Sequence, residues 1–171
     1  MNIRQAKPED LEEIYHLVKE AFETAEESDG TEHELVCALS KNESFVPELS
    51  LVASTDDEQT QIIGYVLFTE IKINKDTAIA LGPLAIREDW RGQSIGRTLI
   101  EEGHRRAKSL GYPLSVVLGS DEYYSQFGYE EANNFRIVPP FEVESKFFRV
   151  YPFTDLGSIE GEVEYAPEFG I

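Results

Sequence analysis

The sequence predicts an α/β fold, α+β in its finer form: a mixed, mostly antiparallel sheet carrying helices. Three observations point there. Residues 79–86 are an apolar run that feeds the turn Arg91-Gly92-Gln93-Ser94-Ile95-Gly96, and that turn opens a helically patterned segment, IGRTLIEEGHRRAKSLG. A continuous apolar strand, Leu114–Leu118 (LSVVL), follows the segment. Strand, crossover helix and strand make a βαβ unit whose two strands are parallel neighbours. Ile62–Ile73 (IIGYVLFTEIKI) and residues 77–86 flank Asn74-Lys75-Asp76 and read as an antiparallel hairpin. At 171 residues the chain is long enough for a sizeable core and is expected to form a single domain, 1–171.

Taken in order, residues 2–6 form a short first strand. Pro8 suits the first turn of a helix, with Glu9 and Asp10 beside its positive end. Leu11, Ile14, Val18, Ala21 and Phe22 recur at helical spacing, so one face is buried. Residues 23–30 (ETAEESDG) are an acidic break, and a second helix over 31–39 turns Leu35, Val36 and Leu39 inward. Residues 42–48 read as loop, 49–53 as a strand and 54–61 as a polar turn. The central helix is expected to bury Ile95, Leu99, Gly103, Ala107 and Leu110 and to stop at Gly111. Residues 121–128 (DEYYSQFG) form a short helix ending at glycine, and Tyr129 starts a later strand. Two strands, about 146–152 and 160–165, are expected to pair as a hairpin in an aromatic-rich tail.

Gly82-Pro83 interrupts the strand at 77–86. Proline has no N–H to give to a ladder, so pairing fails there. The interruption is either a bulge in an edge strand or a device that leaves the backbone of residues 84–86 free for a ligand. The turn at 91–96 belongs to an architecture that holds phosphates, because the first N–H groups of a helix point outward unpartnered and the helix dipole favours negative charge there. Charge supports this. The chain carries 15 Lys+Arg against 33 Asp+Glu, a formal net of -18. Between positions 87 and 108 the sign reverses: Arg87, Arg91, Arg97, Arg105, Arg106 and Lys108 outnumber Glu88, Asp89, Glu101 and Glu102. The last three cations are explained by a helix C-terminus; Arg87, Arg91 and Arg97, which flank the helix start, are not.

The acidic balance argues against a nucleic-acid partner. No apolar stretch approaches transmembrane length, so no membrane role is expected. One cysteine, Cys37, excludes an internal disulfide and reads as a small core residue rather than a nucleophile. His16, His33 and His104 match no metal spacing, and no metal is expected. A cytoplasmic protein follows as the default. The turn is neither Gly-x-x-x-x-Gly-Lys-Ser/Thr nor Gly-x-Gly-x-x-Gly, which argues against a nucleotide-phosphate enzyme.

Together these residues resemble the GNAT superfamily of acyl-CoA N-acyltransferases, whose signature is Gln/Arg-x-x-Gly-x-Gly/Ala at the start of the central helix. Here it reads Arg91-Gly92-Gln93-Ser94-Ile95-Gly96, with Ser94 where the family usually has glycine. Tyr123-Tyr124-Ser125-Gln126-Phe127-Gly128-Tyr129 resembles the family's aromatic-Tyr-x-x-x-Gly-aromatic motif. GPLAI, VVLG-x-x-x-YY and the tail PPFEVESKFFRVYPF resemble the YhbS-like branch. The resemblance implies a sheet of six to seven strands with a splayed parallel pair and helices on both faces.

It also implies an N-acetyltransferase that moves an acetyl group from acetyl-CoA to an amine, most simply on a small molecule, by direct attack. Residues 92–97 would hold the CoA pyrophosphate through backbone N–H groups, with Arg91 and Thr98 beside them. Leu84, Ala85 and Ile86 would pair with the pantetheine amides while the strand ending at Leu118-Gly119 splays away. Tyr124 would lie near the sulfur. A tyrosine with an ordinary pKa of about 10 can protonate a departing thiolate; the plainer alternative is a packed aromatic with one hydrogen bond. Glu70, Glu32 and Glu34 are the candidates for a general base. The acceptor would lie among the first two helices, the hairpin at Asn74 and the aromatic tail, which could also serve a homodimer. Competing readings are a catalytically weak acyl-CoA-binding regulatory module and a protein N-terminal or lysine acetyltransferase.

Overall fold

The computed structural model describes residues 1–23, 28 and 30–170; most of the acidic break at 23–30 lies outside them. In chain order the elements are β1 (Asn2–Gln5), α1 (Leu11–Phe22), α2 (Glu32–Leu39), β2 (Phe45–Ser54), β3 (Ile62–Ile73), β4 (Asp76–Ile86), α3 (Ile95–Ser109), β5 (Leu114–Leu118), α4 (Asp121–Ser125), β6 (Glu130–Glu131), β7 (Ile137–Val138), β8 (Phe148–Pro152) and β9 (Gly161–Glu164). Seven strands lie side by side as β1-β2-β3-β4-β5-β8-β6; β9 joins the far end of β3, and β7 pairs with β9. Along the path only β4 and β5 run parallel.

Alternation along the strands sends successive side chains to opposite faces. Leu51, Ala53, Val66, Phe68, Ile79 and Leu81 meet α3 through Leu99, Ile100 and Ala107. Val52, Tyr65 and Leu67 meet α1 and α2 through Ile14, Leu17, Val18, Val36 and Leu39. Beyond the reach of those helices the same face continues as Ile71, Ile73, Ala78 and Ala80, covered by Ala132, Ile137, Phe148 and Val163 from the C-terminal third. A buried Asp10 fixes the entry to α1: it takes both guanidinium nitrogens of Arg4, at 2.7 and 3.0 Å, and the Lys7 N–H at 2.7 Å.

Four expectations are corrected. The strands β8 and β9 do not form a hairpin: β8 is paired on one edge with β5 and on the other with β6, so neither edge is open to β9. Instead β9 takes Lys72 and Ile73, which project past the last β2 partner, Thr69. The second strand begins at Phe45, four residues before the expected start, because a register break around Pro47 divides it into two paired pieces. Leu110 is 48% exposed, since α3 runs out past the sheet at Ser109. The turn at Asn74 is spent on the tail, its side-chain amide donating to the Glu160 carbonyl at 2.6 Å.

Candidate active site

The extra residue at Gly82-Pro83 builds the centre of the site. Opposite β3, Val66 pairs with Leu84 and Phe68 with Leu81, so β4 bulges between them. The parallel ladder with β5 ends at the same place: Ile79, Ala80 and Leu81 pair with Ser115, Val116 and Val117, and nothing beyond does. Five residues of β5 stay bound to β8, and the Gly119 N–H extends that attachment to the Phe147 carbonyl at 2.9 Å. The two parallel strands therefore diverge as expected, and one edge of 84–86 faces a gap. Alternation decides which groups face it. The Arg87 N–H bonds the Ile63 carbonyl at 2.9 Å, toward β3. Ala85 then also faces β3, and the amides of Leu84 and Ile86 face the gap.

The gap widens into a cavity of about 1280 Å³, larger than a typical small-molecule pocket of roughly 300–1,000 Å³. Of the residues expected at the donor and at the reaction, Leu84, Ala85, Ile86, Arg91, Gly92, Ser94, Ile95, Gly96, Arg97 and Tyr124 line it. Gln93 and Thr98 do not; Thr98 donates both its N–H and its hydroxyl to the Ser94 carbonyl, at 3.1 and 2.9 Å. Gly92 and Ser94 sit at φ 79° and 62°. The left-handed conformation costs an L-residue about 1–2 kcal/mol, so Ser94 occupies a position built for glycine. Among the described residues, no hydrogen bond engages the N–H groups of 92–97, and all of these residues but Gln93 line the cavity at the positive end of a 15-residue helix.

Arg91 bonds the Ile86 and Ala21 carbonyls, both at 3.3 Å, and ties the turn to β4 and α1. Arg97 lies 4.9 Å over the Phe127 ring and 3.5 Å from Glu101. Arg87 is a correction: it reaches Gln61 at 2.6 Å and borders a smaller neighbouring hollow under α1. Arg105 and Arg106 bracket Glu102 at 2.5 and 2.9 Å and hold that carboxyl down at a pKa of about 2.

Tyr124 is seated by the start of α4, where Ser120 caps the helix through the Tyr123 N–H. Its ring lies against the backbone of Gly119, where an added Cβ would stand 2.6 Å from Tyr124 Cε2. Tyr123 at 5.0 Å and Tyr129 at 5.8 Å pack against it edge-on. Among the described residues no hydrogen bond reaches its hydroxyl, and burial pushes its pKa well above the ordinary 10. That departs from the plainer alternative of a packed tyrosine with a partnered hydroxyl. Beneath it, Tyr129 is buried, its hydroxyl 2.9 Å from both Ser115 Oγ and His104 Nε2.

The base candidates separate. Glu70 accepts the Tyr112 hydroxyl at 2.7 Å and does not line the cavity. Glu34 is exposed and also off the cavity. Glu32 lines it. Sequence reasoning missed Tyr123, whose hydroxyl presses on the start of α3 (an added Cβ at Gly96 would meet it at 2.2 Å), although it stands beside Tyr124 in the aromatic motif. It placed the aromatic tail among the acceptor surfaces but could not single out the wall residues Phe141, Phe147, Tyr165 and Phe169, which needed the chain's return to α2 to be known. Asn42 makes that link, donating to Glu168 at 2.6 Å.

A backbone edge freed by a bulge, a helix start of unengaged amides and a tyrosine hydroxyl are groups that a phosphate-bearing acyl carrier could use. The family model described as the acetyltransferase (GNAT) family matches residues 11–129. The chain is 34% identical over 173 residues to an uncharacterised N-acetyltransferase, YhbS, of Escherichia coli K12, covering 99% of this chain and 98% of that protein. The crystal structure of YhbS from Escherichia coli in complex with CoA superposes with a TM-score of 0.89 at 31% identity, over 99% of this chain and 92% of that one. A GNAT family acetyltransferase from Brucella melitensis in complex with acetyl-CoA gives 0.80 at 29% identity, over 98% and 97%. The chain belongs to the acetyltransferase (GNAT) family, and is an acyltransferase by that membership.

Proposed function

We propose that the chain transfers the acetyl group of acetyl-CoA to the amine of a small molecule by direct attack, with residues 1–171 acting as one domain. The open edge of Leu84 and Ile86 beside the unengaged amides of 92–97 carries this reading. The pyrophosphate lies on those amides, where the helix dipole favours it. The pantetheine arm runs along the edge of β4, making strand-like bonds to Leu84 and Ile86. The CoA and acetyl-CoA complexes of the two relatives support the donor.

The acceptor ammonium first gives a proton to solvent, and the neutral amine nitrogen attacks the thioester carbonyl carbon. Negative charge develops on the carbonyl oxygen, which takes an N–H from the β4 edge. The C–S bond then breaks and the sulfur takes the Tyr124 proton. The new amide nitrogen gives up a second proton to solvent or to Glu32, and Tyr124 takes a proton from solvent. From the ammonium, nitrogen has lost two protons; sulfur has gained one and solvent, in balance, the other. Because burial raises the Tyr124 pKa, its hydroxyl stays protonated throughout the neutral range and is available as that donor.

An acceptor bound inside a walled cavity favours a small molecule over a polypeptide N-terminus or lysine. The aromatic tail contributes core and cavity wall, so the homodimer reading gains nothing from it. The lone cysteine fits the cytoplasm.

Titration calorimetry with acetyl-CoA, and thiol release with Tyr124→Phe, test the proposal. The variant keeps its acetyl-CoA affinity and loses roughly 10²–10⁴-fold in rate, the range for a general acid. Absent binding to the wild type, or equal rates, would overturn it.

A further inference from the structure

Resting on the donor site above, we infer that the acceptor is a primary amine on an aromatic or otherwise apolar body, its ammonium held by Glu32. The cavity lining is of two chemical kinds. Arg91 and Arg97 stand with the turn. Leu35 of α2 and, from the tail, Phe141, Phe147, Tyr165 and Phe169 line it with apolar groups. Phe141 stacks on Tyr165 at 6.2 Å, and Tyr165 meets Phe169 at 5.1 Å, so these rings form a connected wall.

Glu32 also lines the cavity, with one oxygen engaged and the other unpartnered. Its Oε1 accepts the Ser28 hydroxyl at 2.6 Å, which in turn accepts the Gly30 N–H at 2.9 Å. Its Oε2 is shut off from solvent and has no hydrogen-bond partner among the described residues. A buried acceptor of this kind is ordinarily satisfied. The other carboxylate lining the cavity, Glu144, is 74% exposed and 3.8 Å from Lys146, so it belongs to the rim. Among the described residues no lysine or arginine reaches Glu32 Oε2 to satisfy it from within the chain. An ammonium supplies what Oε2 lacks, and rings around it favour a cation and an apolar body together. A polyamine, with a second charge to place against phenylalanines, fits poorly.

The test uses the protein loaded with CoA, which carries no acetyl group, so that binding is read without turnover. Calorimetry compares 2-phenylethylamine, 2-phenylethanol and spermidine. The expected result is at least tenfold tighter binding of 2-phenylethylamine than of either other probe. Equal binding of the alcohol, or tighter binding of spermidine, overturns the inference. Glu32→Gln keeps the shape and the Ser28 contact, and should erase the preference for the amine over the alcohol while leaving CoA affinity unchanged; a preference that survives overturns the role of Glu32. The wild-type comparison stands even if the variant does not fold. Loss of CoA binding by the wild type would defeat the donor-site reading instead, which separates the two failures.

Discussion

His104 should make the fold acid-sensitive in a way one substitution removes. It lies on the inner face of α3, 8% exposed, ringed by Phe68, Tyr129, Tyr151 and Phe153. Burial among these rings lowers its pKa from 6.5 to about 4. The folded state therefore holds it neutral where the unfolded chain protonates it. The unfolded state binds the extra proton between about pH 6.5 and 4, so stability rises with pH across that window and is lost as pH falls through it. Each pKa unit is worth about 1.4 kcal/mol, so the full depression amounts to about 3 kcal/mol, and the step from pH 7 to pH 5 takes about 2 of it. Urea unfolding at the two pH values, on the wild type and on His104→Gln, isolates this group because every other titrating side chain is common to both. The variant should lose about 2 kcal/mol less than the wild type on acidification, whatever its stability at pH 7. Identical pH dependence in the two proteins would refute the reasoning, and would mean that His104 is charged or hydrated where it sits.

Two further perturbations act on the site itself. Gly119→Ala places a methyl group 2.6 Å from the Tyr124 ring and must shift it by about an ångström, so thiol release should fall by roughly 10–10²-fold while acetyl-CoA affinity holds; an unchanged rate would show that the position of Tyr124 does not matter. Ser94→Gly relieves a left-handed residue and should raise unfolding stability by up to about 1 kcal/mol, read as a higher denaturation midpoint; a loss would show that the serine side chain contributes more than its strain costs.

How much could be read without coordinates followed from how local each determinant was. The strands Ile62–Ile73 and Leu114–Leu118 were legible to the residue, because β-branched and aromatic runs bounded by turn residues leave little latitude. So was the turn at 91–96, where Gly92 takes a positive φ that glycine permits. The pairing of β8 and β9 was not: both segments read correctly as strands, but the free edges available to them depend on where β5, β6 and β3 end. Helical periodicity likewise put Leu110 inward without revealing that the helix outruns the sheet. The three glutamates could not be ranked because each looks equally polar; Glu70 is claimed by Tyr112, forty-two residues away in sequence. The first two helices and the tail were legible as acceptor surfaces, but their individual lining residues were not, because these meet only once the chain has returned to α2.

One local event, the extra residue at Gly82-Pro83, organises both halves of the chemistry. By ending the ladder at Leu81 and Val117 it frees the β4 edge that a thioester carrier can pair with. The strand released from that ladder stays bound to β8, and its continuation through Gly119 is the surface on which the Tyr124 ring rests. On the proposed reading, the carrier's sulfur and the tyrosine hydroxyl are brought toward each other by the same divergence rather than by separate loops. A regulatory module that only binds acyl-CoA would need the first consequence and not the second. In such a module the hydroxyl of Tyr124, which lines the cavity without a hydrogen-bond partner among the described residues, would serve nothing. Tyr124→Phe should then leave acyl-CoA binding unchanged, with no rate to lose. A transferase needs the hydroxyl because it acquires its partner when the C–S bond breaks. Rate and acyl-CoA affinity measured together on this one variant therefore distinguish the two: a fall in rate at unchanged affinity marks the transferase, and unchanged affinity with no rate marks the binder.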